Sequence, residues 1–259
     1  AQKGITIDES QDSDSVLELR SVSLALQPGT GGTERRLLLS GASARISRAE
    51  SLLIVGESGL GKSSLLRAVA GLWTSGSGTI CRPGDGSVVF FAQRPYLCLG
   101  TLREQVLYPD CQRCDVSDQQ IEEALRSVDL EHLLAEPGLG GEAGGPGAAV
   151  QAMQAALQWT GRLSLGEVQR LGFARLLLRQ GVQLTLFDEG TSAMDLRHEA
   201  MVYALLRAHT GSYVSVAHRP QLRQWHTHVL FIEELNQAAA CGERCESSAR
   251  FLEMSAYGQ

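Results

Sequence analysis

SLLIVGESGLGKSSLLRAVAGL, residues 51–72, decides the reading of this chain. Ser51 to Val55 forms an apolar run, as expected of a parallel strand buried on both faces. Lys62 to Leu72 carries apolar residues at helical spacing and ends at Gly71. Between them lies Gly56-Glu57-Ser58-Gly59-Leu60-Gly61-Lys62-Ser63, a G-x-x-x-x-G-K-S pattern, with Ser64 behind it. Placed after a strand and before a helix, the glycines let backbone N–H groups face one point, and the helix adds its positive end. Such a loop cradles phosphate. Lys62 is expected to reach the β- and γ-phosphates of a nucleotide, and the Ser63 hydroxyl to ligate Mg²⁺. The chain has two lysines, Lys3 and Lys62, and every other long basic side chain is arginine. A compact ammonium fits between phosphates where a planar fork does not.

Further strands are expected at VLELRSVSLAL (16–26), LLLSGASARI (37–46), SVVFF (87–91), VQLTLF (182–187), SYVSVA (212–217) and HVLFIE (228–233). Residues 101–179 read as mainly helical, interrupted by PGLGGEAGGPG at 137–147, a flexible insertion by composition. Asp195 to His209 is again helical. Residues 1–15 are polar and acidic and read as a linker or disordered lead-in, and 236–259 as a weakly patterned tail. Buried strands alternating with helices predict an α/β fold with a parallel sheet and right-handed crossovers. The helical block would be a separate sub-domain.

Bulk properties set limits. The 259 residues suit one large domain, 43% hydrophobic residues supply a core, and a formal charge of −6 gives no support to a nucleic acid partner. No apolar run reaches the length that spans a bilayer, and no signal-peptide pattern is present. The first residue is Ala1, which suits a piece of a longer chain or a processed start. Cys111 and Cys114 form a C-x-x-C pair, and Cys241 and Cys245 a C-x-x-x-C pair. A zinc site built from both is conceivable, but reduced thiols are the favoured reading.

Asp188 and Glu189 close the strand VQLTLF. Open α/β sheets bind ligands at the carboxyl ends of their strands. Asp188 is therefore expected to hold Mg²⁺ beside Ser63, and Glu189 to act as general base on water. A solvated acidic strand end is the plainer alternative, and the phosphate loop argues against it.

Leu163-Ser164-Leu165-Gly166-Glu167 resembles the signature of ABC cassettes, L-S-G-G-Q, with departures at Leu165 and Glu167. Ser164 with Glu167 is also a capping box, and both readings hold together. The rest of the ABC set follows: Gln93 resembles the Q-loop, Ser192-Ala193-Met194-Asp195 the D-loop, and His218 the switch histidine. The resemblance covers Val16 to Glu233. It implies a phosphate-loop ABC cassette with a mainly parallel core sheet, an N-terminal antiparallel β part and a helical sub-domain. GLW (71–73), AQRPYL (92–97), GTLREQVLYP (100–109), LSLGE (163–167) and HRPQLRQWHTHVL (218–230) are similar to subfamily D. That group holds the peroxisomal fatty-acyl transporters and their bacterial and plastid relatives.

The resemblance implies ATP and Mg²⁺, with Gln93 joining Ser63 and Asp188 as a metal-sensing residue. ATP would be sandwiched between two cassettes, with Ser164, Leu165, Gly166 and Glu167 of one meeting ATP on the other. The D-loop residues Ser192, Ala193 and Asp195 would lie at that junction, and His218 would contact the γ-phosphate. The implied partners are a transmembrane domain and a second cassette. The implied place is a membrane, with the cassette facing the cytosol or its equivalent, and the implied cargo is lipid-like or acyl-CoA. The aromatic residue that often stacks on adenine is missing, with Leu26 near its place, which implies a weaker hold on the base. The alternative is a soluble ABC ATPase. Those usually carry two cassettes or a coiled-coil insertion, and neither is in this sequence.

Overall fold

A computed structural model describes residues 4–9, 14–26, 36–134, 156–157, 159–234 and 247–253. The strands are β1 (Thr6–Asp8), β2 (Ser15–Leu26), β3 (Arg36–Ser47), β4 (Ser51–Gly56), β5 (Gly76–Cys81), β6 (Val88–Phe91), β7 (Gly100–Thr101), β8 (Ala156–Leu157), β9 (Leu184–Asp188), β10 (Ser212–Val216), β11 (His228–Glu234) and β12 (Ser247–Glu253). The helices are α1 (Lys62–Val69), α2 (Leu102–Leu107), α3 (Asp118–Ser127), α4 (Leu165–Leu177) and α5 (Leu196–His209). The chain divides into two compact units, one of 1–90, 181–189 and 210–259, the other of 91–180 and 190–209.

The first unit is built on a sheet of order β1-β5-β2-β3-β12-β11-β4-β10-β9-β6. Its centre is parallel: β4 pairs with β10 and β11, and β10 with β9. Every residue of β9 and β10 is buried, as in parallel strands covered on both faces, the polar Thr185, Ser212 and Ser215 included. The N-terminal part is antiparallel, β2 pairing with both β3 and β5. Leu24, Leu39, Ile46, Leu52, Leu65 and Val214 share one core. Burying each such side chain contributes about 2 kcal/mol before the cost of ordering it.

Three strands of this sheet depart from the expectations. Residues 1–15, expected to be a linker, contain β1, which pairs in parallel with β5. Ile5 packs against the core, and that contact outweighs the polar composition around it. Glycine-rich β5 gave no strand pattern. Its Gly76 has a φ of +149° and lies so close to Ser23 that a Cβ would meet the Ser23 carbonyl oxygen. The tail contains β12, seated between β11 and β3, with Ala249 and Phe251 packed on the core. The insertion at 137–147 and Cys241 and Cys245 lie outside the described residues.

The second unit holds the helical block. It begins at Phe91 rather than Thr101 and takes in Gly190–His209. The reason at its start is packing: the Phe91 ring stacks on Phe173 of α4 at 5.4 Å. Helices α2, α3 and α4 all begin with a capping box, Thr101 with Glu104, Ser117 with Gln120, and Ser164 with Glu167. Leu102, Val106, Ile121, Leu125 and Leu171 are buried in this unit.

Candidate active site

In the first unit the phosphate loop runs from the end of β4 to the start of α1. Gly56 has a φ of +152°, and a Cβ there would lie 2.2 Å from the Ile232 carbonyl oxygen of β11. Only glycine lets the strand and the loop approach in this way. Lys62 is buried, and its ammonium donates to the carbonyls of Gly56 (2.9 Å) and Glu57 (2.5 Å). Burial pushes the Lys62 ammonium below its ordinary value, and Glu189 and Asp188 pull it back up. Ser247 of β12 is buried with its hydroxyl 2.9 Å from the Leu60 carbonyl and 2.6 Å from that of Leu38. The tail strand thus props the loop, a role that nothing in the sequence pattern announced.

Both carboxylates arrive as the sequence predicts. Asp188 ends β9, and its Oδ1 accepts from the Ser63 hydroxyl at 2.5 Å. Arg67, one turn further along α1, donates to its Oδ2 at 3.3 Å. A hydroxyl beside a carboxylate is a hard-oxygen pair of the kind Mg²⁺ selects, so these residues fit the ion. Glu189 follows with a φ of +53°, a left-handed conformation that a non-glycine residue adopts at a cost of about 1 kcal/mol or more. Its N–H donates to the Val216 carbonyl at 3.1 Å, which holds the turn. Nε2 of His218, two residues past β10, lies 3.3 Å from Oε1 of Glu189. Glu189, His218, Ser63, Asp188 and the phosphate loop therefore share one end of the parallel strands.

The second unit gathers the other motifs. Ser164 caps α4, its hydroxyl donating to Glu167 Oε2 at 2.7 Å and accepting from the Glu167 N–H. His132 Nε2 lies 2.9 Å from Oε1 of the same carboxylate. Gly166 faces the D-loop, and a Cβ on it would be 2.9 Å from the Ala193 carbonyl oxygen. Ser164, Glu167, Ala193 and Asp195 line an open hollow of about 360 Å³. Gln169 is fully buried and was not singled out from the sequence. Its side chain donates to the Gln93 carbonyl at 3.0 Å and to Ser192 Oγ at 3.2 Å, and it accepts from the Ala193 N–H at 3.0 Å. One glutamine on α4 therefore sets the backbone at Gln93 and the D-loop together. The Gln93 side chain is exposed.

The sequence profile of ABC transporters matches residues 39–192, more than half of this chain. The chain belongs to the ABC transporter family. An uncharacterized ABC transporter ATP-binding protein of Synechocystis is 41% identical over 76% of this chain and 28% of its own length. The chloroplastic ABC transporter D family member 2 of Arabidopsis thaliana is 36% identical over 86% of this chain and 35% of its own length. This chain therefore spans about a third of the length of such relatives, and its character is that of subfamily D. A bacterial Atm1-family ABC exporter with ATP bound shares the fold, with a TM-score of 0.66 at 22% identity over 86% of this chain and 38% of the exporter chain.

Against the ABC pattern, the structure places Gly56 to Ser64, Asp188, Glu189 and His218 in the first unit, and Gln93, Ser164 to Glu167 and Ser192 to Asp195 in the second. Among the described residues, no helix is long and apolar enough to cross a membrane. Among them, too, no group of three or more His, Cys, Asp or Glu could hold a metal by itself, and Cys111 and Cys114 are free thiols.

Proposed function

We propose that this chain is the ATP-binding and ATP-hydrolysing part of an ABC half-transporter, driving transmembrane transport by ATP-dependent pairing with a second cassette. The observation that carries the reading is the Ser63–Asp188 contact at 2.5 Å together with the Glu189–His218 contact at 3.3 Å. In this role Lys62 exchanges its loop carbonyls for phosphate oxygens. Ser63 and Asp188 would hold Mg²⁺, and the ion when bound offsets the charge of the phosphates. Glu189 takes the proton of the attacking water as general base. His218 keeps Glu189 oriented and contributes a positive dipole to the departing phosphate.

Each chain is half of the machine. Ser164 and Gly166 open α4, whose N-terminus favours an anion, and they meet the nucleotide held by a second cassette. ATP favours the paired state because only that state contacts the γ-phosphate from both sides. The membrane-spanning partner supplies the path, and the cassette works on the cytosolic or equivalent face.

Glu189→Gln tests the reading. ATP binding, followed by fluorescence of a nucleotide analogue, is expected to stay within about threefold of wild type, while phosphate release falls by about a hundredfold or more. Wild-type turnover in that variant would remove Glu189 from the mechanism.

A further inference from the structure

His198 stands at the start of α5, and both of its ring nitrogens face carboxylates. Nδ1 lies 2.9 Å from Asp195 Oδ2, and Nε2 lies 2.8 Å from Asp129 Oδ2. Its backbone N–H also donates to Asp195 Oδ1 at 2.8 Å. A neutral imidazole has one N–H and one lone pair, so it can donate to only one of these oxygens. Donating to both takes the imidazolium.

The aspartates are suited to that partner. The backbone N–H of His198 first, and then its ring, hold Asp195 below the usual carboxylate range. The ring hydrogen bond, working against burial, does the same for Asp129. Asp129 has a left-handed φ of +58°. Arg170 of α4 lies beside it, donating to its carbonyl at 2.7 Å and standing 3.5 Å from its Oδ2. Arg197 is the remaining charge that acts on Asp129. Glu167, with His132 on it, lines the same hollow from α4. The imidazole therefore ties the D-loop, through Asp195, to the segment after α3. Arg170 ties that segment to the helix opened by Ser164.

We propose that His198, in its doubly protonated form, is a positioning residue that fixes the Ser192–Asp195 loop against Asp129, so that hydrolysis responds to pH through this clamp. The proposal rests on the reading that the loop and the start of α4 meet the nucleotide of a second cassette. Histidine is the side chain whose ordinary titration falls between about pH 5 and pH 8. Both aspartates, held low, stay ionised over that span. Loss of one ring proton turns a lone pair toward a carboxylate and releases the loop.

The test compares wild type with His198→Gln and His198→Arg between about pH 6 and pH 8.5. Phosphate release is followed for each protein, and ¹⁵N shifts of the His198 ring are followed in labelled wild type. Arginine keeps donors on separate nitrogens and its charge at every pH used, whereas glutamine is uncharged and has a single donor nitrogen. Dividing each rate by that of His198→Arg cancels the pH dependence that the three proteins share. The wild-type ratio is expected to fall about threefold or more as pH rises, a change of the size that charge pairs at protein surfaces sustain. The His198→Gln ratio is expected to be low and flat, and both ring nitrogens to be protonated at the acid end. A flat wild-type ratio, or one bare ring nitrogen at about pH 6, overturns the proposal. Absence of phosphate release from every protein would instead count against the ATPase reading, and the ring shifts would then decide the clamp alone.

Discussion

At the scale of single residues, the chemistry was the most legible part. Gly56, Lys62, Ser63, Asp188, Glu189 and His218 were all singled out from motif and position, and the structure sets each at a strand end or in the segment that follows one. Gln169 and Ser247 were not, because a buried amide and a small hydroxyl act through backbone groups of residues distant in sequence. Thr185 is a different case. It interrupts the apolar run of β9, is fully buried, and its hydroxyl has no hydrogen-bond partner among the described residues. A buried hydroxyl left unpaired costs about 1–3 kcal/mol, and valine keeps the branched shape that the strand needs. Thr185→Val is therefore expected to stabilise the protein by about 1 kcal/mol without changing turnover, as read from the urea midpoint and the phosphate-release rate. A lower midpoint would mean that the hydroxyl has a partner in solution.

At the scale of elements, strands and helices with strong periodicity were found to within a few residues, and the three missed strands of the large sheet share a cause. β1 is three residues long, β5 is half glycine and small residues, and β12 follows a stretch without pattern. Each is a strand because a longer neighbour pairs with it, and such tertiary rescue leaves little local trace. The one usable hint was the alternation of Ala249 and Phe251 with Arg250 in β12. The start of α4 allows a sharper statement. Burial raises the Glu167 carboxyl, but the Ser164 hydroxyl and N–H, with His132, outweigh it and hold the group below its ordinary value of 4.5. A group lowered in the folded state stabilises the protein above its unfolded value, and that contribution is lost as pH falls through the folded one. Glu167→Ala is therefore expected to cost about 1 kcal/mol near neutral pH, the worth of a cap, and progressively less as pH falls below about 4.5. Urea unfolding of both proteins across that range checks this, and a penalty that grows on acidification would contradict the assignment.

At the scale of the whole molecule, the proposed function makes one chain carry the parts of two different half-sites. On that proposal, Lys62 belongs to a site that its own chain begins, and Ser164 to a site that another chain begins. In a two-fold dimer, residue i of one copy meets residue j of the other and the reverse holds as well. That symmetry makes a complementation experiment decisive. Pairs of Lys62→Ala chains lack the lysine at both sites, and pairs of Ser164→Ala chains lack the serine at both. A mixed pair concentrates both losses at one site and leaves the other intact. With equal amounts and random pairing, half of the dimers are mixed and each holds one whole site, so about a quarter of wild-type turnover is expected where each variant alone is nearly inactive. The same reasoning makes turnover per chain rise with concentration as long as the chain is mostly monomeric, which sedimentation establishes beforehand. A mixture no faster than the sum of its components would show that Lys62 and Ser164 serve a site within a single chain, and the paired motor would have to be abandoned.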